Sequence, residues 1–311
     1  MSPTRIRRRG YAALLTLGLA AATIATTASA AEIRVEHDRG ETVLKDIPKK
    51  VIVLDLASLD TLDAIAVPVQ GTVGSMLPTY LQKYSGGNSI DAGSLFDPNY
   101  EALSAAQPDL IITGGRSSAK YDALAKIAPT INLDTDDKDY LASAIRNAET
   151  LGTILGKREA VAERVEKLKA STEALKDKGR KVGRGLIVLT TGGHMSAYGP
   201  GSRFGVLHDD FGVTPAAAKL STALHGEPIS NEFILKTNPD WLFIVDRDAA
   251  IGKSGQAAAR MLDNELVRRT NAWKQGQVVY LDPVDWYMVG GGLTSMQRKV
   301  DQLLEAFNRG G

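Results

Sequence analysis

The chain has 311 residues, with 37 Lys+Arg, 36 Asp+Glu, 4 His and no Cys. Such a length holds one or two domains, and 43% hydrophobic with 23% charged residues is the balance of a globular protein, not of a disordered or collagen-like one. Without cysteine there is no disulfide framework, no thiolate metal site, no catalytic thiol and no lipid anchor of the cysteine-linked kind, and a net charge of +1 argues against an extended nucleic-acid-binding face.

Arg5, Arg7, Arg8 and Arg9 form a basic opening, an apolar run follows from Tyr11 to Ile24, and Ala28-Ser29-Ala30 offers a small-residue cleavage site. Residues 1–30 therefore read as a cleavable signal peptide, too short for a comfortable membrane span. Arg8-Arg9-Gly10-Tyr11 is faintly twin-arginine-like, and a plain basic region is the simpler reading. Removing the segment leaves 33 basic and 36 acidic residues. No later run is long and apolar enough to cross a bilayer. The expected mature protein is exported, soluble, not lipid-anchored, and kept near the cell by a periplasm.

Ile33 to Leu44, around Asp38-Arg39-Gly40-Glu41, predicts a hairpin with a glycine turn. Continuous apolar runs follow at Val51–Leu54, Leu110–Ile112, Leu186–Leu189, Trp241–Val245 and Val278–Leu281. Runs of this length suit strands buried on both faces, as in an α/β sheet covered by helices. Between them, Leu141, Ile145, Ala148, Leu151 and Leu155 recur at helical spacing, and after Gly156 the pattern resumes with Val161, Val165, Leu168, Thr172 and Leu175. The second helix, over about 157–178, would span roughly 33 Å at 1.5 Å per residue, far stiffer than a Gly/Ser linker.

An internal repeat supports two lobes. Glu101, Pro108-Asp109, an apolar run and Arg116 match Glu232, Pro239-Asp240, an apolar run and Arg247, each displaced by 131 residues. In each copy a helix should carry the Glu, Pro-Asp should turn the chain, a buried strand should follow, and Arg should lie past the strand's carboxyl end, where open α/β sheets bind ligands. The predicted fold is α/β: two lobes (31–156 and 180–311) with central parallel or mixed sheets, a rigid linker helix over 157–179, and a ligand cleft between the lobes containing Arg116 and Arg247.

Several catalytic signatures fail. Gly252-Lys253-Ser254 resembles the tail of a phosphate-binding loop, but the first glycine it needs falls at Arg247. Asp134 to Ile145 resembles a calcium loop but has Lys138 at the fifth position, Asp139 where glycine is needed and Ile145 in place of the bidentate glutamate. His-Glu-x-x-His and Gly-x-Ser-x-Gly are absent. A single His is ordinarily structural, so His37, His194 and His208 are read that way, with His194, after Gly192-Gly193, able to reach a pocket mouth. The informative stretch is later: Ser202-Arg203-Phe204-Gly205 on a glycine-rich loop, Leu224-His225-Gly226 on a turn, and Asp285-Trp286-Tyr287 before Gly290-Gly291-Gly292.

Those segments, with Asn231-Glu232-Phe233-Ile234-Leu235 and Val245-Asp246-Arg247, resemble periplasmic binding proteins of ABC importers, in the rigid-helix-linker cluster that serves siderophores, haem and cobalamin. The ferric-catecholate branch, of the enterobactin and petrobactin type, is the most similar. The resemblance implies that Arg116, Arg203 and Arg247 receive catecholate oxygens. It implies that His225 and Tyr287 complete the shell of Fe(III) when the siderophore offers four donors, and that Glu101 and Glu232 meet arginines of the ABC permease. Trp286 is expected as a pocket wall.

The residue chemistry agrees. A ferric catecholate is anionic and oxygen-rich, and the planar, permanently charged guanidinium donates two hydrogen bonds to such a group. Phenolate suits ferric iron, and imidazole is acceptable. The expectation is a monomeric binding protein, with no intrinsic cofactor, no nucleic acid and no enzymatic role. It would carry a ferric siderophore to an inner-membrane permease, and the stiff linker implies a largely preformed site. Haem, cobalamin and hydroxamate siderophores are alternative cargoes. A periplasmic metal-dependent enzyme using His194, His208-Asp209 and His225 is the alternative of a different class.

Overall fold

The computed structural model describes residues 1–2, 32–217, 219–253 and 257–309. The signal-peptide expectation falls, beyond Met1 and Ser2, outside them. The hairpin pairs β1 (Ile33–His37) antiparallel with β2 (Gly40–Leu44).

The first lobe is built on a five-stranded, all-parallel sheet. In spatial order it contains β5 (Ile90–Asp91), β4 (Gly71–Thr72), β3 (Val51–Val53), β6 (Leu110–Thr113) and β7 (Thr130–Asn132). β3 and β6 are buried along their whole length, as their uninterrupted apolar runs require. The second lobe has a mixed six-stranded sheet. β8 (Arg184–Thr191) is flanked by antiparallel β9 (His194–Tyr198) and parallel β12 (Trp241–Asp246), β11 (Glu227–Ile229) and β13 (Val278–Tyr280) form the edges, and β10 (Thr214–Pro215) pairs with the start of β8. The two-residue strands β4, β5 and β10 are too short for a legible pattern, and β7 (Thr-Ile-Asn) and β11 (Glu-Pro-Ile) lack the continuous apolar run that marks β3. β13 departs from the buried-on-both-faces expectation: it is an edge strand, only half covered, with Tyr280 exposed.

The two copies of the repeat share one device. In the first, Asp109 Oδ2 accepts from the backbone N–H groups of Lys49 (2.9 Å) and Lys50 (2.7 Å), at the entry to β3. In the second, Asp240 Oδ2 accepts from Arg184 N (2.9 Å), at the entry to β8. The carboxylate ties the start of one strand to the start of its parallel neighbour, satisfying donors that the ladder leaves open. The helices before them, Tyr100–Ala106 and Asn231–Thr237, both end on a left-handed residue, Gln107 and Asn238.

The helix Tyr140–Ile154 precedes a 22-residue linker helix, Arg158–Gly179. The linker is not the sole junction. The C-terminal helix, Leu293–Arg309, packs on the linker and also on helix Leu56–Ala64 of the first lobe. Its first turn is capped from that lobe: buried Asp60 accepts from Thr294 N (2.8 Å) and Ser295 N (3.3 Å) and from the Tyr80 hydroxyl (2.6 Å). One contiguous apolar core runs from Val51–Leu54 through Leu151 and Val165 to Trp286 and Phe307. The last helix is thus shared by both lobes, whereas the expected boundary at 180–311 assigns it to the second alone.

Candidate functional site

A cleft of about 780 Å³ opens between the lobes at the carboxyl ends of the central strands, within the range of small-molecule sites. Its walls include Arg116 from the first lobe and Arg203, His225, Arg247, Trp286 and Tyr287 from the second.

Arg116 follows β6 in a short turn, Gly115–Lys120. Gly115 has φ +53°, and a Cβ on Gly114 would lie 2.8 Å from the Leu133 carbonyl and 2.9 Å from the Asp55 carboxyl carbon. Only glycine fits there, which is why the motif reads Gly-Gly-Arg. Asp134, noticed in the sequence only as part of a failed calcium loop, holds this turn through Gly115 N and the Ser118 hydroxyl. Arg203 rides the Gly199–Gly205 loop, where Ser202 Oγ donates to Gly199 O (2.6 Å) and Gly201 N donates to Asp209 (2.7 Å). Arg247 opens a short helix capped by the Asp246 side chain.

Tyr287 sits on a π-helical turn, Val284–Val289, enclosed by Pro283 and Gly290. Sequence reasoning missed this turn, although Pro before and three glycines after are its signal. Such turns widen the backbone and leave the final carbonyls without intrahelical donors. Here cations supply them. Arg116 donates to Met288 O (3.0 Å) and Tyr287 O (2.8 Å), Arg203 donates to Tyr287 O (3.0 Å), and Lys299 Nζ donates to Gly290 O (2.9 Å). Arg247 Nε donates to the Tyr287 hydroxyl (2.8 Å), and its Nη1 to Thr191 Oγ1 (3.2 Å). The Arg203 guanidinium lies 4.3 Å from the Tyr287 ring centre, Arg116 5.3 Å and Arg247 5.7 Å. All three arginines therefore converge on one tyrosine.

This convergence shapes the electrostatics. Burial alone would raise the Tyr287 pKa, but the Arg247 hydrogen bond and the charges of Arg203, Arg247 and Arg116 outweigh it, and the phenol is held below its ordinary value. That favours the phenolate a ferric ion prefers. Burial, then the like charge of Arg203, lowers Arg116, which still stays protonated near neutral pH. On the facing wall, burial raises Asp137, with Arg203 opposing.

His225 is exposed on its turn and lines the cleft. Gly226 beside it has φ +67°, and a Cβ there would strike Ala197 O and the Tyr198 ring at 2.8 Å. Trp286 is 3% exposed: its ring packs edge-on against Phe211 at 6.3 Å and its Nε1 donates to Gln302 (3.3 Å). It is a wall beneath the cleft, with its polar atom already used. His208 bonds Val213 O (2.8 Å) in its own lobe, and His37 pairs with Thr42 (2.9 Å) in the hairpin. His194 lines a separate groove with Pro228 and Glu232. Among the described residues, no group of three or more His, Cys, Asp or Glu is placed to hold a metal ion. The histidines are therefore not gathered as the enzyme alternative requires.

Glu101 and Glu232 occupy the same place in the matched helices, the second residue of the first turn, and both are exposed. A carboxylate there also complements the helix dipole. A hydrogen bond with Ser230 holds the Glu232 pKa below its usual value.

The chain is 38% identical over 283 residues to the petrobactin-binding protein YclQ of Bacillus subtilis, covering 89% of each chain, and 33% identical over 281 residues to the ferric-anguibactin-binding protein FatB of Vibrio anguillarum, covering 88% of this chain and 87% of that one. The crystal structure of YclQ superimposes with a TM-score of 0.86 over 89% of this chain and 99% of that one. The periplasmic catecholate-siderophore binding protein VctP of Vibrio cholerae, 31% identical, gives 0.83 over 88% of this chain and 100% of that one. Among the described residues no helix is long and apolar enough to cross a membrane. Residues 51–284 match the family model described as periplasmic binding protein, and the chain belongs to that family.

Proposed function

We propose that this protein captures a ferric siderophore of the catecholate type and delivers it to an ABC permease in the inner membrane, without making or breaking covalent bonds. The observation that carries the reading is the ring of Arg116, Arg203 and Arg247 about Tyr287 in one interlobe cleft. Three fixed cations form a receptor for an anionic, oxygen-rich chelate, since charge-assisted bonds from guanidinium are strong and directional. The named relatives bind petrobactin and ferric anguibactin, which supports iron-chelate cargo.

In this reading the chelate's oxygens take the place of the Tyr287 carbonyl and hydroxyl as acceptors for the arginines. Tyr287 then offers phenolate, and His225 imidazole, to iron that a four-donor siderophore leaves unsaturated. Trp286 reports the event by fluorescence from beneath the site. Glu101 and Glu232, one per lobe, meet basic residues of the permease. The protein is exported by a cleaved signal peptide, works in the periplasm without a lipid anchor, and acts as a monomer. Residues 31–156 and 180–311 serve as its two lobes and 157–179 as the linker, with the last helix of the second lobe also packed on the first.

The test is a fluorescence titration against a ferric bis-catecholate, a ferric tris-catecholate, a ferric hydroxamate, haem and cobalamin. Sub-micromolar quenching by the catecholates, with the ligand recovered intact, is the expected result. Preference for haem or cobalamin would overturn it. Changing Tyr287 to Phe should remove visible ligand-to-metal absorption from complexes with four siderophore donors and spare those with six. An unaltered spectrum with the four-donor complex would exclude Tyr287 as an iron ligand.

A further inference from the structure

Among the described residues, most large apolar side chains are buried. Of the exceptions, Met1, Val43, Ile47, Met76 and Tyr280 are not part of the cleft lining, whereas Phe96, 56% exposed, and Leu224, 64% exposed, both line it. They come from opposite lobes. Exposed apolar surface within a binding cavity is surface a ligand can cover, and covering it is favourable.

Neither residue is on a loose segment. Phe96 sits in a turn in which the Ser94 hydroxyl accepts from Phe96 N (3.3 Å) and Asp97 N (3.0 Å), Ser94 N donates to Asp97 O (2.9 Å), and Gly93 bridges Pro98. Leu224 is held by the Tyr198 hydroxyl, which donates to its carbonyl (3.4 Å), and by Gly226 N bonding Ala223 O (2.8 Å). Tyr198 is itself buried, edge-on to Phe204 at 4.8 Å, and Phe204 adjoins Arg203. The turn that carries Leu224 is thereby fixed to the loop that carries an arginine. Backbone already held in place adds little ordering entropy on binding.

We infer that Phe96 and Leu224 are specificity residues: lips that close over the apolar, aryl-bearing part of the chelate while the arginines hold its oxygen edge. The inference rests on the proposed function and adds what that reading leaves open, a selection for cargo with aromatic or other apolar surface over equally charged chelates without it. Arginines alone recognise charge and oxygen geometry, and they do not distinguish an aryl chelate from a carboxylate one.

The test is calorimetric titration of the wild type and of the Phe96→Ala/Leu224→Ala double variant with a ferric bis-catecholate, at several temperatures and two salt concentrations. Circular dichroism confirms that these surface changes leave the fold intact. Losing two half-exposed apolar contacts should weaken binding by about tenfold. The heat-capacity change of binding should become less negative, which marks lost apolar burial, while the salt dependence set by the arginines stays as in the wild type. Wild-type affinity and heat capacity in the double variant, with binding lost in an Arg203→Ala/Arg247→Ala protein, would overturn the lips and leave the functional reading standing. A wild type that binds no ferric catecholate would overturn both.

Discussion

Arg116 and Arg247 hold equivalent places in the repeat yet do different work. Arg247 stays within its own lobe, bonding Thr191 and the Tyr287 hydroxyl. Arg116 crosses the cleft, and both of its recorded bonds end on backbone carbonyls of the opposite lobe. The scaffold below them is the same, a helix, a Pro-Asp turn and a buried parallel strand. The difference lies in the last residues before each arginine. Gly114-Gly115, pinned by Asp134, sends one side chain across, while Asp246 caps the short helix that keeps the other at home. The repeated scaffold sets the position, and the local turn decides whether the cation clamps lobes or only faces the cavity.

The comparison is sharpest in two single variants. Arg247→Ala should weaken a ferric bis-catecholate by about tenfold, the loss of one charge-assisted contact, with the melting temperature unchanged. Arg116→Ala should weaken it comparably and also lower the melting temperature by about 5 °C, since two interlobe bonds disappear. Calorimetry with and without ligand separates the outcomes, and equal melting temperatures would abolish the distinction.

A third cation meets the same backbone segment from behind. Burial drives Lys299 down to about 7, with Asp285 and Asp60 opposing, and burial pushes Asp285 up to about 7, with Asp282 adding to the rise. A lysine whose folded pKa is depressed binds its proton more readily when unfolded, so stability increases as pH rises from 7 toward the unfolded value. The wild type should gain about 3 °C per pH unit between pH 7 and 9 from this group. Lys299→Met should flatten that rise, and parallel pH profiles for the two proteins would exclude the assignment.

The smallest effects test the shared scaffold. Asp109→Ala and Asp240→Ala should each lower the melting temperature by about 3 °C and leave affinity alone. Asp240 is opposed by burial but held below its ordinary pKa chiefly by Arg184 N–H. A large loss of affinity from either variant would mean that the repeat does more than build strands.

The chain itself disclosed a good part of this arrangement. Uninterrupted apolar runs marked β3, β6, β8 and β12 because burial on both faces leaves no polar alternation. The fixed offset between Glu101 and Glu232, Asp109 and Asp240, and Arg116 and Arg247 exposed the repeat. The π turn stayed hidden, since its backbone widening depends on cations brought in by distant segments. So did Asp60, which caps a helix more than two hundred positions away, and Asp134, whose neighbours suggested a metal loop. Phe96 and Leu224 were illegible because exposure of a single apolar residue has no one-dimensional signature.

Three guanidinium groups should touch one iron chelate at once. That contact can be observed directly in nitrogen-15-labelled protein, with Ga(III) replacing Fe(III) in a catecholate complex to avoid paramagnetic broadening. Assigned through single Arg→Lys variants, the Nε–H signals of Arg116, Arg203 and Arg247 should all move on binding, while that of Arg34, exposed on the β1 strand of the hairpin and paired with Glu41, stays in place. Saturating ligand that leaves the three cleft signals unmoved would contradict the account.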